Sequence, residues 1–151
     1  NYLPMKDYLE PGCYINYFYG SPWSEHGSGC FSPAIITAAN NFLHDNNSNL
    51  TAQSLSYSSV NTLFNELTKG HPVIVWTCFN YDAEVSYIDI DIGNGQTFSW
   101  PTNEHCTVLT GFDLTTNTVT LADPTYGIIE RSIEEFSYYY KMYFYQAVVI
   151  K

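Results

Sequence analysis

Pro72-Val73-Ile74-Val75-Trp76-Thr77-Cys78-Phe79 is a continuous apolar run and reads as a strand buried on both faces, in the middle of a sheet. On its N-terminal side, Ser59 caps a helix whose Val60, Leu63, Phe64 and Leu67 recur at helical spacing, with Gly70 as its stop. Before that helix, Leu50 to Ser56 is predicted as a strand, and the polar tract Asp45 to Asn49 closes an earlier helix. That earlier helix runs from Pro33 through Ala34-Ile35-Ile36-Thr37-Ala38-Ala39 to His44, with Ser32 as the expected N-cap. Residues 1–29 are punctuated by Pro and Gly and read as irregular, with the aromatic run Tyr14 to Tyr19 as a strand or a loop packed on the core.

On the C-terminal side, Ser86 to Ile92, a Gly93-Asn94-Gly95 turn and Gln96 to Trp100 form a predicted hairpin. Strands are predicted at His105 to Asp113 and Thr118 to Asp123 around a turn at Leu114 to Asn117, and again at Ile128 to Arg131. Ser132 and Glu135 have the spacing of a capping box that opens a third helix to about Met142, and Gln146 to Ile150 closes the chain as a strand. Helices come first and mostly antiparallel strands follow, without a βαβ rhythm. The fold class is therefore α+β, in a single domain over residues 1–151.

Composition narrows the function. A chain that is 45% hydrophobic and 13% charged can bury a core, which excludes intrinsic disorder. Fifteen acids against five bases give a formal charge of −10, which argues against a nucleic-acid partner or an anionic membrane surface. No stretch approaches the roughly 18 apolar residues of a membrane span. Few bases with many Asn and Tyr suit a secreted or cell-surface bacterial protein, and Asn1-Tyr2-Leu3-Pro4 suggests a processed piece of a longer chain. Cys13, Cys30, Cys78 and Cys106 leave room for one bridge whose pairing is open, but they do not form a disulfide framework. No Cys/His spacing resembles a zinc site, and Asp89-Ile90-Asp91-Ile92-Gly93-Asn94-Gly95 fails as a calcium loop because its twelfth position is Trp100. No metal or cofactor is expected.

Three residues stand out for chemistry. Cys30, in Gly27-Ser28-Gly29-Cys30-Phe31-Ser32-Pro33, lies just before a helix N-terminus, where the dipole favours a thiolate; a buried structural Cys weighs equally. His105 opens an apolar strand at its loop end, and Asp123 closes the next strand, held extended by Pro124. Simple mirror pairing about Thr115-Thr116 sets Asp123 opposite Val108, about 10 Å along the strand from His105, so a bulge must bring the two together. His26, His44 and His71 read as surface residues, and Tyr138-Tyr139-Tyr140 cannot all face inward.

Lys69-Gly70-His71-Pro72-Val73-Ile74-Val75-Trp76, then Glu104-His105-Cys106-Thr107-Val108-Leu109-Thr110-Gly111-Phe112-Asp113, then Ala122-Asp123-Pro124 together resemble the bacterial cysteine peptidases related to the bacteriocin-processing (double-glycine leader) peptidases. The stretch Gly20 to Asn41 is similar to one branch of them. The resemblance implies a papain-like fold, an antiparallel sheet with helices packed on one side, and hydrolysis of a peptide or protein substrate through a Cys-His-Asp arrangement. It makes His105 the base and Asp123 its orienting acid. The family's early Gly-Cys nucleophile helix is not recognised in the chain. The thiol is therefore expected from an upstream segment or a partner chain, with Cys30 as the second choice, and the 151 residues alone are expected to be inactive. The rival expectation is a catalytically inactive papain-like module that binds peptide or glycan at an aromatic-rich surface.

Overall fold

The computed structural model describes residues 1–7, 15–24, 27–81 and 83–151. Cys13, Tyr14 and His26, singled out above, lie outside the described residues. The chain divides into two compact units, residues 1–52 with 86–102, and residues 53–85 with 103–151.

In the first unit, β1 (Met5–Lys6) and β2 (Phe18–Tyr19) form a short parallel pair. Helix α1 (Ser32–Asp45) begins one residue earlier than Pro33, with Phe31 as the N-cap residue and no side-chain cap bond. Ser32 is thus the first helical residue and not the cap; it is 2% exposed. Asn40 of α1 clamps the backbone of Ala52, accepting from its N–H at 2.8 Å and donating to its carbonyl at 3.1 Å. The predicted hairpin is present as β5 (Tyr87–Gly93) and β6 (Gln96–Pro101). Its tip residues Asn94 and Gly95 both have positive φ, as a tight two-residue hairpin turn requires.

The second unit is built on a six-stranded sheet. Its strands are β3 (Ala52–Ser54), β4 (Val73–Cys78), β7 (Glu104–Asp113), β8 (Thr118–Asp123), β9 (Gly127–Ser132) and β10 (Ala147–Ile150). They stand in the order β3-β10-β4-β7-β8-β9, and β3 is shorter than the predicted Leu50 to Ser56. The apolar run chosen from sequence is indeed interior: β4 pairs antiparallel with β10 on one side and β7 on the other. Paired residues in antiparallel strands share a face, as do residues two apart. Val73, Val75, Leu109, Val119, Leu121, Ala147 and Val149 accordingly form one continuous inner face, and none of them is exposed.

Helix α2 (Val60–Thr68) reaches that face through Phe64, which stacks on Phe112 at 4.2 Å. Helix α3 (Ile133–Met142) lies over the same face, where its Glu135 lines a cavity with Ile129 and Arg131 of β9. Both caps are as predicted on the hydroxyl side: Ser59 Oγ accepts from the Thr62 N–H at 3.3 Å, and Ser132 Oγ from the Glu135 N–H at 3.1 Å. Gly70 follows α2 with φ +84°, which an L side chain rarely adopts. In α3, Tyr140 is fully buried, Tyr139 nearly so, and Tyr138 exposed.

The α2 terminus also corrects one expectation. His71 is not a free surface residue: its Nδ1 lies 3.0 Å from Glu66 Oε2, beside Lys69 Nζ at 2.7 Å from Oε1 and Lys151 Nζ at 3.8 Å from Oε2. The Lys69 and His71 hydrogen bonds, in that order, outweigh desolvation and hold the Glu66 carboxyl at about 2. A folded pKa below the unfolded one gives stability that is fully present above about pH 4.5 and is lost as the pH falls toward 2. Glu66→Gln should therefore flatten the acid limb of a stability–pH curve measured by urea unfolding and leave its neutral limb without that slope. Leu109→Ala, which empties a fully buried site on the inner face, should lower unfolding stability by about 2–5 kcal/mol at all pH values in the same measurement.

Candidate active site

His105 and Asp123 meet. His105 Nε2 lies 2.8 Å from Asp123 Oδ2, with the imidazole side chain 12% exposed and the carboxylate 2%. The reason lies in strand register. From the turn upward, Asp113 pairs with Thr118, Phe112 with Val119 and Gly111 with Thr120. Continued without interruption, that register sets Asp123 opposite Val108, whose side chain points to the face away from His105. Instead the pairing resumes with Leu109 opposite Leu121 and Val108 opposite Ala122, leaving Thr110 as an extra residue in β7. One extra residue advances the register by one and changes the face of everything beyond it. Asp123 then falls opposite Thr107, two residues from His105 and on its face, a diagonal neighbour within side-chain reach. The bulge expected from sequence is the device that makes the contact.

The carboxylate is fixed from its other oxygen. Asp123 Oδ1 accepts from the backbone N–H of Thr125 at 2.7 Å and of Tyr126 at 3.0 Å. Burial is the largest influence on this carboxyl and pushes its pKa up, but the Tyr126 and Thr125 N–H groups and the His105 hydrogen bond together bring it below the ordinary value. An ionised Asp123 accepts a proton-bearing Nε2, which makes Nδ1 the basic nitrogen of the neutral ring. Among the described residues Nδ1 has no hydrogen-bond partner. Phe79 packs edge-on against the ring at 5.0 Å, and Tyr126 packs on Phe79 at 5.5 Å. This is an oriented, partly enclosed imidazole that can take a proton at Nδ1 and return it.

Strand alternation also sorts the thiols. Cys78 and Cys106 belong to the residues alternating away from His105, because Cys78 pairs with Glu104 and Cys106 follows His105 directly. Cys78 is fully buried, donates to the Asn80 carbonyl at 2.9 Å and accepts from Asn103 Nδ2 at 3.0 Å, so its sulfur is occupied structurally. Neither suits the Nδ1 side of His105. Cys30, in the first unit, sits two residues ahead of α1, whose first turn holds no acidic residue to cancel the positive end of the helix, and it is 6% exposed. On the face away from the dyad, burial pushes the Glu104 carboxyl up to about 8, partly offset by a hydrogen bond to Trp76. That neighbour of His105 is thus largely uncharged at pH 7. Sequence reasoning passed over Phe79, which packs against the imidazole, and Tyr126, which packs on Phe79 from the turn after Pro124.

With this geometry in view, comparison with known proteins is informative. The model of the Peptidase_C39 like family matches residues 4–148. The chain belongs to this family. A crystal structure described as that of a C39-like peptidase from Bacillus anthracis, itself a provisional assignment, superposes with a TM-score of 0.82. The match covers 99% of this chain and 75% of that one, at 22% sequence identity, a likeness of fold. No curated protein sequence matches the chain. The papain-like, α+β expectation therefore holds, and at the level of the family the chain is a cysteine peptidase-like domain. Among the described residues no helix is long and apolar enough to cross a membrane.

Because Thr110 is the residue left out of the ladder, deleting it should give an uninterrupted β7–β8 ladder with Leu109 still opposite Leu121 and Asp123 still opposite Thr107, so the two side chains should stay together. In a deletion variant that keeps its far-UV circular dichroism, long-range 15N spectra of His105 should therefore retain the fixed Nε2–H tautomer of the parent. Loss of that tautomer would show that the local twist of the bulge, and not the register alone, aligns the pair.

Proposed function

We propose that this protein is a cysteine peptidase in which His105 is the general base and acid, Asp123 its positioning partner and Cys30 the nucleophile. The observation that carries the reading is the 2.8 Å His105–Asp123 bond, with Asp123 anchored at its other oxygen by two backbone N–H groups. Support for Cys30 comes from its place at the head of α1, from the opposite-face placement of Cys78 and Cys106, and from a family match that spans this region. The helix that sequence reading sought upstream is, in this proposal, α1 itself.

The steps follow from these groups. Transfer of the Cys30 proton to His105 gives a thiolate, which attacks the carbonyl carbon of a peptide bond and forms a tetrahedral adduct. His105 then gives its proton to the amine as the C–N bond breaks, leaving a thioester on Cys30. Water, losing a proton to His105, attacks that thioester, releases the carboxylic acid and restores the thiol. The Asp123 carboxylate keeps the ring in the required tautomer and stabilises the imidazolium in both halves. The acidic, base-poor composition supports a secreted or cell-surface setting for this activity.

The test is a peptide-hydrolysis assay of the chain and four variants. Cys30→Ser and His105→Ala should each abolish measurable turnover, Asp123→Asn should lower kcat/KM by about 10²–10⁴-fold, and Cys106→Ser should leave it unchanged. Iodoacetamide should label Cys30 at pH 6, well below the ordinary thiol pKa of about 8.5, and His105→Ala should slow that labelling. Full activity in Cys30→Ser would pass the role to Cys13 or to another segment. No activity in any form, with slow labelling of Cys30, would favour an inactive binding module.

A further inference from the structure

Arg131 is the one arginine in the sequence, and it lines a cavity of about 320 Å³. The cavity also takes walls from Phe79, Tyr81, Tyr126, Ile129 and Glu135. Two of these walls belong to the dyad's own surroundings: Phe79 touches the His105 ring edge-on, and the Tyr126 N–H holds Asp123. A peptide in extended form advances about 3.3 Å per residue. A residue close to a carbonyl engaged at His105 can therefore lower its side chain into this cavity.

The walls carry two charges that do not satisfy each other. The Arg131 guanidinium lies over the Tyr81 ring at 4.6 Å, and its Nη1 donates to the Glu130 carbonyl at 3.1 Å. Among the described residues its Nε is enclosed without a hydrogen-bond partner and the guanidinium forms no ion pair. Among the described residues Glu135 forms no ion pair either. The Ser132–Glu135 spacing predicts a reciprocal capping box, but only the Ser132 Oγ half is made; the return bond from the Ser132 N–H to the Glu135 carboxylate is not. Glu135 is one of the residues that line the cavity.

Resting on the peptidase reading, we infer that this cavity is a specificity subsite for a carboxamide side chain, Asn or Gln, in a residue of the substrate beside the scissile bond. A carboxylate side chain meets Arg131 well and Glu135 badly, and an ammonium the reverse. An apolar side chain displaces water from both charges and returns no hydrogen bond to either. A carboxamide offers an acceptor and two donors on one planar group, so its oxygen can face Arg131 while its NH₂ faces Glu135. The neutral pair of walls selects a neutral, dipolar group.

Two measurements test this separately from catalysis. Because Arg131 is unique, its Nε–Hε signal in a 15N spectrum of the wild-type chain needs no further assignment. N-acetyl-glutamine amide should shift that signal and N-acetyl-leucine amide should not; equal effects, or none, would overturn the subsite. The second measurement is hydrolysis of peptides that differ at one position flanking the scissile bond, in wild type, Arg131→Gln and Glu135→Gln. Wild type should prefer Gln over Leu by about tenfold, Arg131→Gln should turn the preference toward Lys, and Glu135→Gln toward Glu. Hydrolysis with one profile in all three proteins would reject the subsite and leave the peptidase reading standing. A glutamine-specific shift of the Arg131 signal without hydrolysis of any peptide would do the opposite.

Discussion

The extra residue Thr110 in β7 is the constraint on which the site depends. Below it, mirror pairing with β8 is simple; above it, every residue of β8 is offset by one, and the face of Asp123 is decided by that offset. The cost is local, since a bulge leaves one residue out of the ladder, and Thr110 recovers part of it by donating its hydroxyl to the Thr120 carbonyl at 3.2 Å. Gly111 follows directly, where an added Cβ would stand 3.4 Å from Thr120 Oγ1. That is ordinary van der Waals contact, so a side chain would fit there and the change of register does not rest on the glycine. The apolar residues on either side, Leu109 and Leu121, are fully buried and pin the new register in place. A functional contact at the end of two strands is thus set by packing several residues away.

Much of this was legible in sequence, for identifiable reasons. The run Pro72 to Phe79 is apolar at consecutive positions, which only a strand covered on both faces tolerates, and β4 is interior. Ser59, Gly70, Ser132 and Asn94-Gly95 act within a few residues of themselves, so their local chemistry suffices to mark the ends of α2, the start of α3 and the hairpin tip. Features decided by distant partners were not legible. Ser32 has the residue type of a cap but is buried as the first helical residue, so Phe31 takes the cap position without a side-chain bond. His71 carries no sequence signal for the Glu66 carboxylate, five residues earlier and across the end of α2. The need for a bulge could be deduced from the spacing of His105 and Asp123, whereas its position at Thr110 emerges only from the pairing.

Glu66, Glu104 and Asp123 of the second unit stand in three electrostatic states, and the contrast explains why Asp123 suits its role. Glu66 is met by a cation: Lys69 pairs with one of its oxygens while His71 hydrogen-bonds the other, so its charge is largely offset on the spot. Glu104 is pushed up to about 8 by burial and carries little charge at neutral pH. Asp123 is also buried, but its first partners are the uncharged N–H groups of Thr125 and Tyr126. These donors keep the carboxylate ionised without supplying a countercharge. Its negative charge therefore remains directed along Oδ2 toward His105 Nε2, where it can hold a tautomer and stabilise an imidazolium as the ring takes a proton. A lysine in place of those two amides would hold the side chain as firmly and remove the field that the histidine needs. Orientation by neutral backbone donors, in a turn begun by Asp123-Pro124, is what lets one residue be both anchored and electrostatically active.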